Sequence, residues 1–209
     1  MTQLTTLDKV KLLLNITDNS QDVLLTNLIN EVSAFISTTC GGREFGATDY
    51  TEIYDSPEGD NLFLKNYPIN SIVDIFTRGG TIGTPIWTAL TSNDFLVYAK
   101  EGYIKIISAF GGKNTFSAGA GFQFYQAEYN AGYLIDFLNE NNPMLHNLPA
   151  DLTSLCGQVV CDVFNSGGEL SGIKSESTEG QSITYTDISK YGLTAGAKAI
   201  TSRYTRISV

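Results

Sequence analysis

The sequence predicts an α+β fold: a small helical bundle built from the N- and C-terminal segments, with an antiparallel β domain inserted between them. Three observations carry this expectation. Apolar residues recur at helical spacing before residue 48 and again after residue 148. Between Asp49 and Tyr133, short aromatic and β-branched runs alternate with turn residues. The two helical ends each leave an apolar stripe, and helices this short are marginal unless such stripes meet. The expected domains are 1–48 with 148–209, an insertion over 49–133, and a connecting loop over 134–147.

The first helix is expected from Thr6 to Leu14. Thr6 suits an N-cap, Asp8 suits the positive end of the dipole, and Leu7, Val10 and Leu14 form one stripe. After the turn Asn15-Ile-Thr-Asp-Asn-Ser20, Ser20 is positioned to cap a second helix. That helix carries Leu25, Leu28, Ile29, Val32, Phe35 and Ile36 on one side and stops at Gly41-Gly42.

The β region reads as TEIYD, NLFLKN, SIVDIF, DFLVY, YIKII and FQFYQAEY. Turn residues separate the runs, among them Pro57-Glu-Gly59-Asp, Gly79-Gly80 and Glu101-Gly102. The expectation is an antiparallel meander of about five to seven strands, closed into a small sandwich or barrel. Asp55, Glu58 and Asp60 read as a solvated hairpin connection, because a calcium loop needs a longer, regular ligand series.

Helices then return. Pro149 fits a first turn and Asp151 the dipole's positive end; Leu152, Leu155, Val159, Val160, Val163 and Phe164 make the stripe as far as Gly167-Gly168. A polar arm, GIKSESTEGQSITY, follows. A last helix is expected from Leu193 to Arg203, with an extended end, YTRISV.

Composition narrows the function. With 209 residues, 42% hydrophobic content and a mean hydropathy of −0.03, the chain can bury a core. It has no run long enough for a transmembrane helix and no secretory signal pattern, so it is expected to be soluble and made in a cytoplasm, with no membrane partner. A formal charge of −9 repels phosphate backbones. The tail runs the other way. After Asp187 no acid occurs, while Lys190, Lys198, Arg203 and Arg206 follow, which suits either a helix C-terminus or docking on an acidic partner.

Catalytic groups are sparse. His146 is the one histidine and sits in NNPMLHNLP, where a hydrogen-bonded or solvated role is the ordinary one. Three cysteines make no disulfide framework, and Cys156 and Cys161 lie roughly 140° apart around one helix. Gly111-Gly112-Lys113-Asn114 lacks the upstream glycine and the Ser or Thr of a phosphate loop. No enzyme, metal or cofactor is expected; the work falls to surfaces. A binding module for carbohydrate or host surface would draw on Trp87, Tyr98, Tyr103 and Tyr125 if these shared one exposed face.

The order of elements resembles the phage head-tail connector (adaptor) family. The resemblance rests on LTTLDKVKLLLNITDNSQDVLLTNLINEVSAFISTTCGGREF, then YTEIYDSPEGDNLFLKNYPINSI, Tyr129-Asn-Ala-Gly-Tyr133, Leu148-Pro-Ala-Asp-Leu152 and GIKSESTEGQSITY. It covers nearly the whole chain in order. SAFGGKNTFSAGAGF and NAGYLIDFLNENNPMLHNLP are longer than the family's pattern. The resemblance implies a virion neck protein: a ring, usually dodecameric, beneath the portal vertex. Such a ring extends the DNA channel, lets DNA pass without tight binding, and meets a head-closure (stopper) or tail protein. Another neck or tail-completion ring is the neighbouring alternative. On this reading Gly172, Ile173, Lys174, Ser175, Ser182, Ile183, Thr184 and Tyr185 reach the next protomer, where unpaired backbone groups find strand partners. Arg203, Tyr204, Arg206 and Val209 dock on the portal protein.

Overall fold

The computed structural model describes residues 2–57, 61–81, 83–106, 123–166, 175–178, 181–184 and 194–205. Its elements begin with α1 (Leu7–Leu14), α2 (Asp22–Thr39), β1 (Thr48–Tyr54), β2 (Asn61–Phe63), β3 (Ile69–Gly80), β4 (Pro85–Ala89), β5 (Phe95–Tyr98), β6 (Tyr103–Ile106) and β7 (Tyr125–Ala131). They continue with α3 (Ala150–Asn165), β8 (Ser175–Thr178), β9 (Gln181–Thr184) and α4 (Ala195–Tyr204). The α+β mix is as the sequence predicts. The chain divides into two compact units: Met1–Phe45 with Leu148–Val209, and Gly46–Asn147.

In the helical unit, Thr6 caps α1 as expected, its hydroxyl accepting from Lys9 N–H at 3.3 Å. Asn15, left-handed at φ 56°, ends that helix. Ser20 does not cap α2. Its N–H and hydroxyl both donate to Asp18, at 2.9 and 2.5 Å, and Gln21 stands at the cap position without a side-chain bond. A carboxylate two residues back outcompetes the helix for the serine. Leu25, Ile29, Val32 and Ile36 of α2 are buried, as are Leu152, Leu155 and Val160 of α3. α3 packs on α1, α2 and α4, so the chain's two ends share one core. Gly157 of α3 lets α1 come close: a Cβ there would sit 3.2 Å from Leu13 Cδ1.

The β unit departs from the expected topology. Its seven described strands form an antiparallel four-stranded sheet, ordered β1-β7-β3-β4, and a three-stranded sheet, ordered β2-β6-β5. There is no closed barrel among the described residues and no meander, because β1 pairs with β7 from the far end of the unit, with Tyr50 opposite Tyr129. Asp55 is not in a hairpin turn, since β1 and β2 belong to different sheets. Its carboxylate accepts from Gln123 N–H at 2.7 Å, while Glu58 and Asp60 lie outside the described residues, as does Gly111-Gly112-Lys113-Asn114. Leu62 and Ile104 of the small sheet share a core with Ile75, Ala127 and Tyr129 of the large one. Gly132, at φ +115°, runs so close to Gly46 and Ala47 that a side chain would strike their backbone.

Candidate interaction site

The expected interface residues fall in three groups. The first is α4. Thr194 caps it, its hydroxyl accepting from Ala197 N–H at 3.2 Å. Ala197 and Thr201, four residues apart, are buried, which turns Lys198, Ser202 and Arg203 outward. α4 reaches Tyr204 and Thr205 after it is extended, while residues 206–209 of the expected extended end lie outside the described residues.

The structure anchors that last turn on its own subunit. The Tyr204 hydroxyl donates to Asp151 Oδ1 at 2.6 Å, and Arg203 Nη1 lies 3.4 Å from Asp151 Oδ2. The Tyr204 ring meets Phe45 edge-on at 6.1 Å between centroids. Buried Arg43 donates to the Tyr204 carbonyl at 3.4 Å and lies 5.1 Å from the Phe45 ring centroid. Cys40 Sγ donates to the Thr201 carbonyl at 3.7 Å. Tyr204 is therefore half-buried against its own helices, whereas the Arg203 side chain remains 65% exposed. Lys198 makes no ion pair among the described residues. α4 offers a cationic outer edge on an acidic chain.

The second group is the hairpin. Ser175 stands in β8, and Ser182, Ile183 and Thr184 in β9. The two strands pair antiparallel, Ser175 opposite Thr184 and Ser177 opposite Ser182. They form a sheet of two strands that joins no other described strand. The third group, Gly172, Ile173, Lys174, Tyr185, Arg206 and Val209, lies outside the described residues.

Sequence reasoning missed the anchors. Asp151 was legible only as a dipole partner, and nothing in Arg43 or Phe45 advertised contact with Tyr204. It also missed an apolar strip on β5, where Leu96 and Val97 are 47% and 40% exposed. The signal was present: FLVY is an uncharged run between Asp94 and Lys100.

The other candidates resolve as structural groups. His146 is buried, its Nδ1 accepting from Asp136 N–H at 3.2 Å and its ring 5.1 Å from Phe137. Burial raises the Cys40 and Cys161 thiols and pushes Cys156 up to about 11, so none is primed as a nucleophile. Among the described residues no group of three His, Cys, Asp or Glu could hold a metal ion, and no helix is long and apolar enough to cross a membrane. The four aromatics do not share a face: Tyr125 is buried, Trp87 lies on the larger sheet, and Tyr98 stacks on Tyr103 at 4.4 Å on the smaller.

A family model described as Head completion protein matches residues 3–134. Two solved structures are similar along the whole chain. A chain from the neck of an empty GTA particle, computed with C6 symmetry, has a TM-score of 0.53 and 11% identity, covering 99% of this chain and 91% of that one. A chain from the neck of a native GTA particle, computed with C12 symmetry, has a TM-score of 0.47 and 11% identity, covering 100% and 96%. No curated protein matches the chain.

Proposed function

Because this chain belongs to the head completion protein family, we propose that it is a structural head-tail adaptor of a tailed phage, located in the virion neck. It forms a ring, a dodecamer, beneath the portal vertex, extends the DNA channel, and meets the head-closure or tail protein below. The family match over residues 3–134 is the observation that carries the reading. The shared fold with a neck chain along 99% of the sequence agrees with it.

The division of labour follows from the parts. The helical domain, 1–48 with 148–209, supplies the ring body, and the inserted β domain, 49–133, is carried on it. The arm and the tail meet other polypeptides. The formal charge of −9 suits a conduit that lets DNA slide, since an acidic wall repels phosphates. Electron microscopy of the particle neck tests the whole reading. The expected result is density for this chain as a closed ring between portal and stopper. Density elsewhere in the particle, or single copies without a ring, would overturn it.

A further inference from the structure

Two strand edges in different parts of the chain pair with no other described strand. β5 is an edge of the three-stranded sheet among the described residues. Its sequence is FLVY, and Leu96 and Val97, on opposite faces by the pleat, are both substantially exposed. Edge strands are ordinarily guarded by charge, proline or shortness. The other edges in this unit have such guards: β4 begins with Pro85, β1 carries Asp49 and Glu52, and β2 is three residues long. β5 has none of them. It presents a row of backbone donors and acceptors between apolar side chains.

The second edge belongs to the β8–β9 hairpin, which pairs with no other described strand. A two-stranded hairpin alone is marginal in water; a third strand makes it a sheet. Its strands differ. β8 contains Glu176, whereas β9 (QSIT) carries no charge. An uncharged strand can lie beside FLVY without desolvating a carboxylate. β9 and β5 are also each four residues long, so they pair one to one.

We infer that β9 of one copy adds to β5 of a neighbouring copy, extending that sheet to β2-β6-β5-β9 with β8 beyond it. The inference rests on the ring reading, since the ring supplies the second copy. Backbone bonds do the attaching, which suits a hydroxyl-rich segment with little apolar surface of its own.

Disulfide trapping in assembled particles tests this. The full-length chain carries Cys161→Ser and Val97→Cys, combined in turn with Gln181→Cys, Ser182→Cys, Ile183→Cys or Thr184→Cys. Directly opposed residues of an antiparallel pair have Cβ atoms about 4.5–5.5 Å apart, closest at non-hydrogen-bonded positions, where a small shift reaches the roughly 3.5–4.5 Å of a disulfide. After mild oxidation at least one pairing is expected to give a ladder of covalently linked copies on a non-reducing gel, while variants with one introduced cysteine beside the buried Cys40 and Cys156 stay monomeric. The same particles are imaged for the neck ring. A ring with no ladder from any pairing, or with links confined to single chains, overturns the strand exchange and leaves the ring reading standing. Absence of a ring overturns both.

Discussion

The Tyr204 hydroxyl donates to Asp151 Oδ1 at 2.6 Å, tying the last residue of α4 to the first turn of α3. The bond is charge-assisted, and the carboxylate also sits at the positive end of α3, where the helix dipole favours it. Arg203 reaches the other carboxylate oxygen at 3.4 Å from a side chain that is mostly in water. These two contacts to one acid are therefore unequal. Tyr204→Phe is expected to cost about 1–2 kcal/mol in urea unfolding of the free chain. Arg203→Ala is expected to cost less than about 0.5 kcal/mol. Equal losses would mean that the hydroxyl is not the anchor.

Glu52, on the inner side of β1, accepts from the hydroxyls of Tyr54 and Tyr129, the second at 2.6 Å. The same hydroxyls accept from backbone N–H groups of Lys65 at 3.1 Å and Asn66 at 3.3 Å. Burial is the main cause raising both phenols above their ordinary range, with the neighbouring ionisable groups adding to it. Glu52→Ala leaves the two partly buried hydroxyls only each other, 3.4 Å apart, so one of them loses its acceptor, and it is expected to cost roughly 1–3 kcal/mol. Glu52→Gln keeps an acceptor and should cost less than half of that. Thermal melts of the two variants decide it, and similar melting temperatures would count against the network.

Cys156 carries a pH dependence. The unfolded thiol titrates near 9.0, and burial pushes the folded one up to about 11. Between those values the native chain keeps a proton that the unfolded chain has lost, so stability falls as pH rises from 9 to 11 and is fully present below 9. The loss attributable to this thiol is on the order of 2–3 kcal/mol. Cys156→Ala should start less stable at pH 8, because it opens a small cavity, yet decline less steeply. Urea midpoints at pH 8, 9, 10 and 11 test the slope. An unchanged decline in the variant would assign it to other groups, of which Tyr54 and Tyr129 titrate later still.

Local signals were legible in the sequence, and non-local ones were not. Thr6 and α1 were readable because a cap and an apolar stripe are written within one turn. Ser20 misled because its competitor, Asp18, is also local and equally short-armed. In the β region the strands were visible as runs, yet nothing in TEIYD says that its partner is YQAEYNA rather than NLFLKN. Sheet membership is decided by which faces bury together, as Tyr50 and Tyr129 do at 5.4 Å between rings. The same limit applies to the interface. Arg203 was visible as a charge, but the Asp151–Tyr204 bond spans 53 positions and left no periodicity to read.

That bond also sets the right place to cut when testing the tail. A chain ending at Ser202 loses Arg206 and Val209, but it loses the Tyr204 anchor too, so weaker portal binding could report a loosened α4. A chain ending at Thr205 keeps Tyr204 on Asp151 and Phe45 and removes only the tip. Its unfolding free energy is expected to match the full chain within about 0.5 kcal/mol, because the Tyr204 anchor is kept. Its affinity for the portal protein should fall by about tenfold or more, equivalent to roughly 1.4 kcal/mol. Calorimetric titration of portal with both chains measures this. Unchanged affinity in the Thr205-ending chain would remove Arg206 and Val209 from the docking surface and leave the exposed edge of α4, Lys198 and Arg203, as the cationic contact.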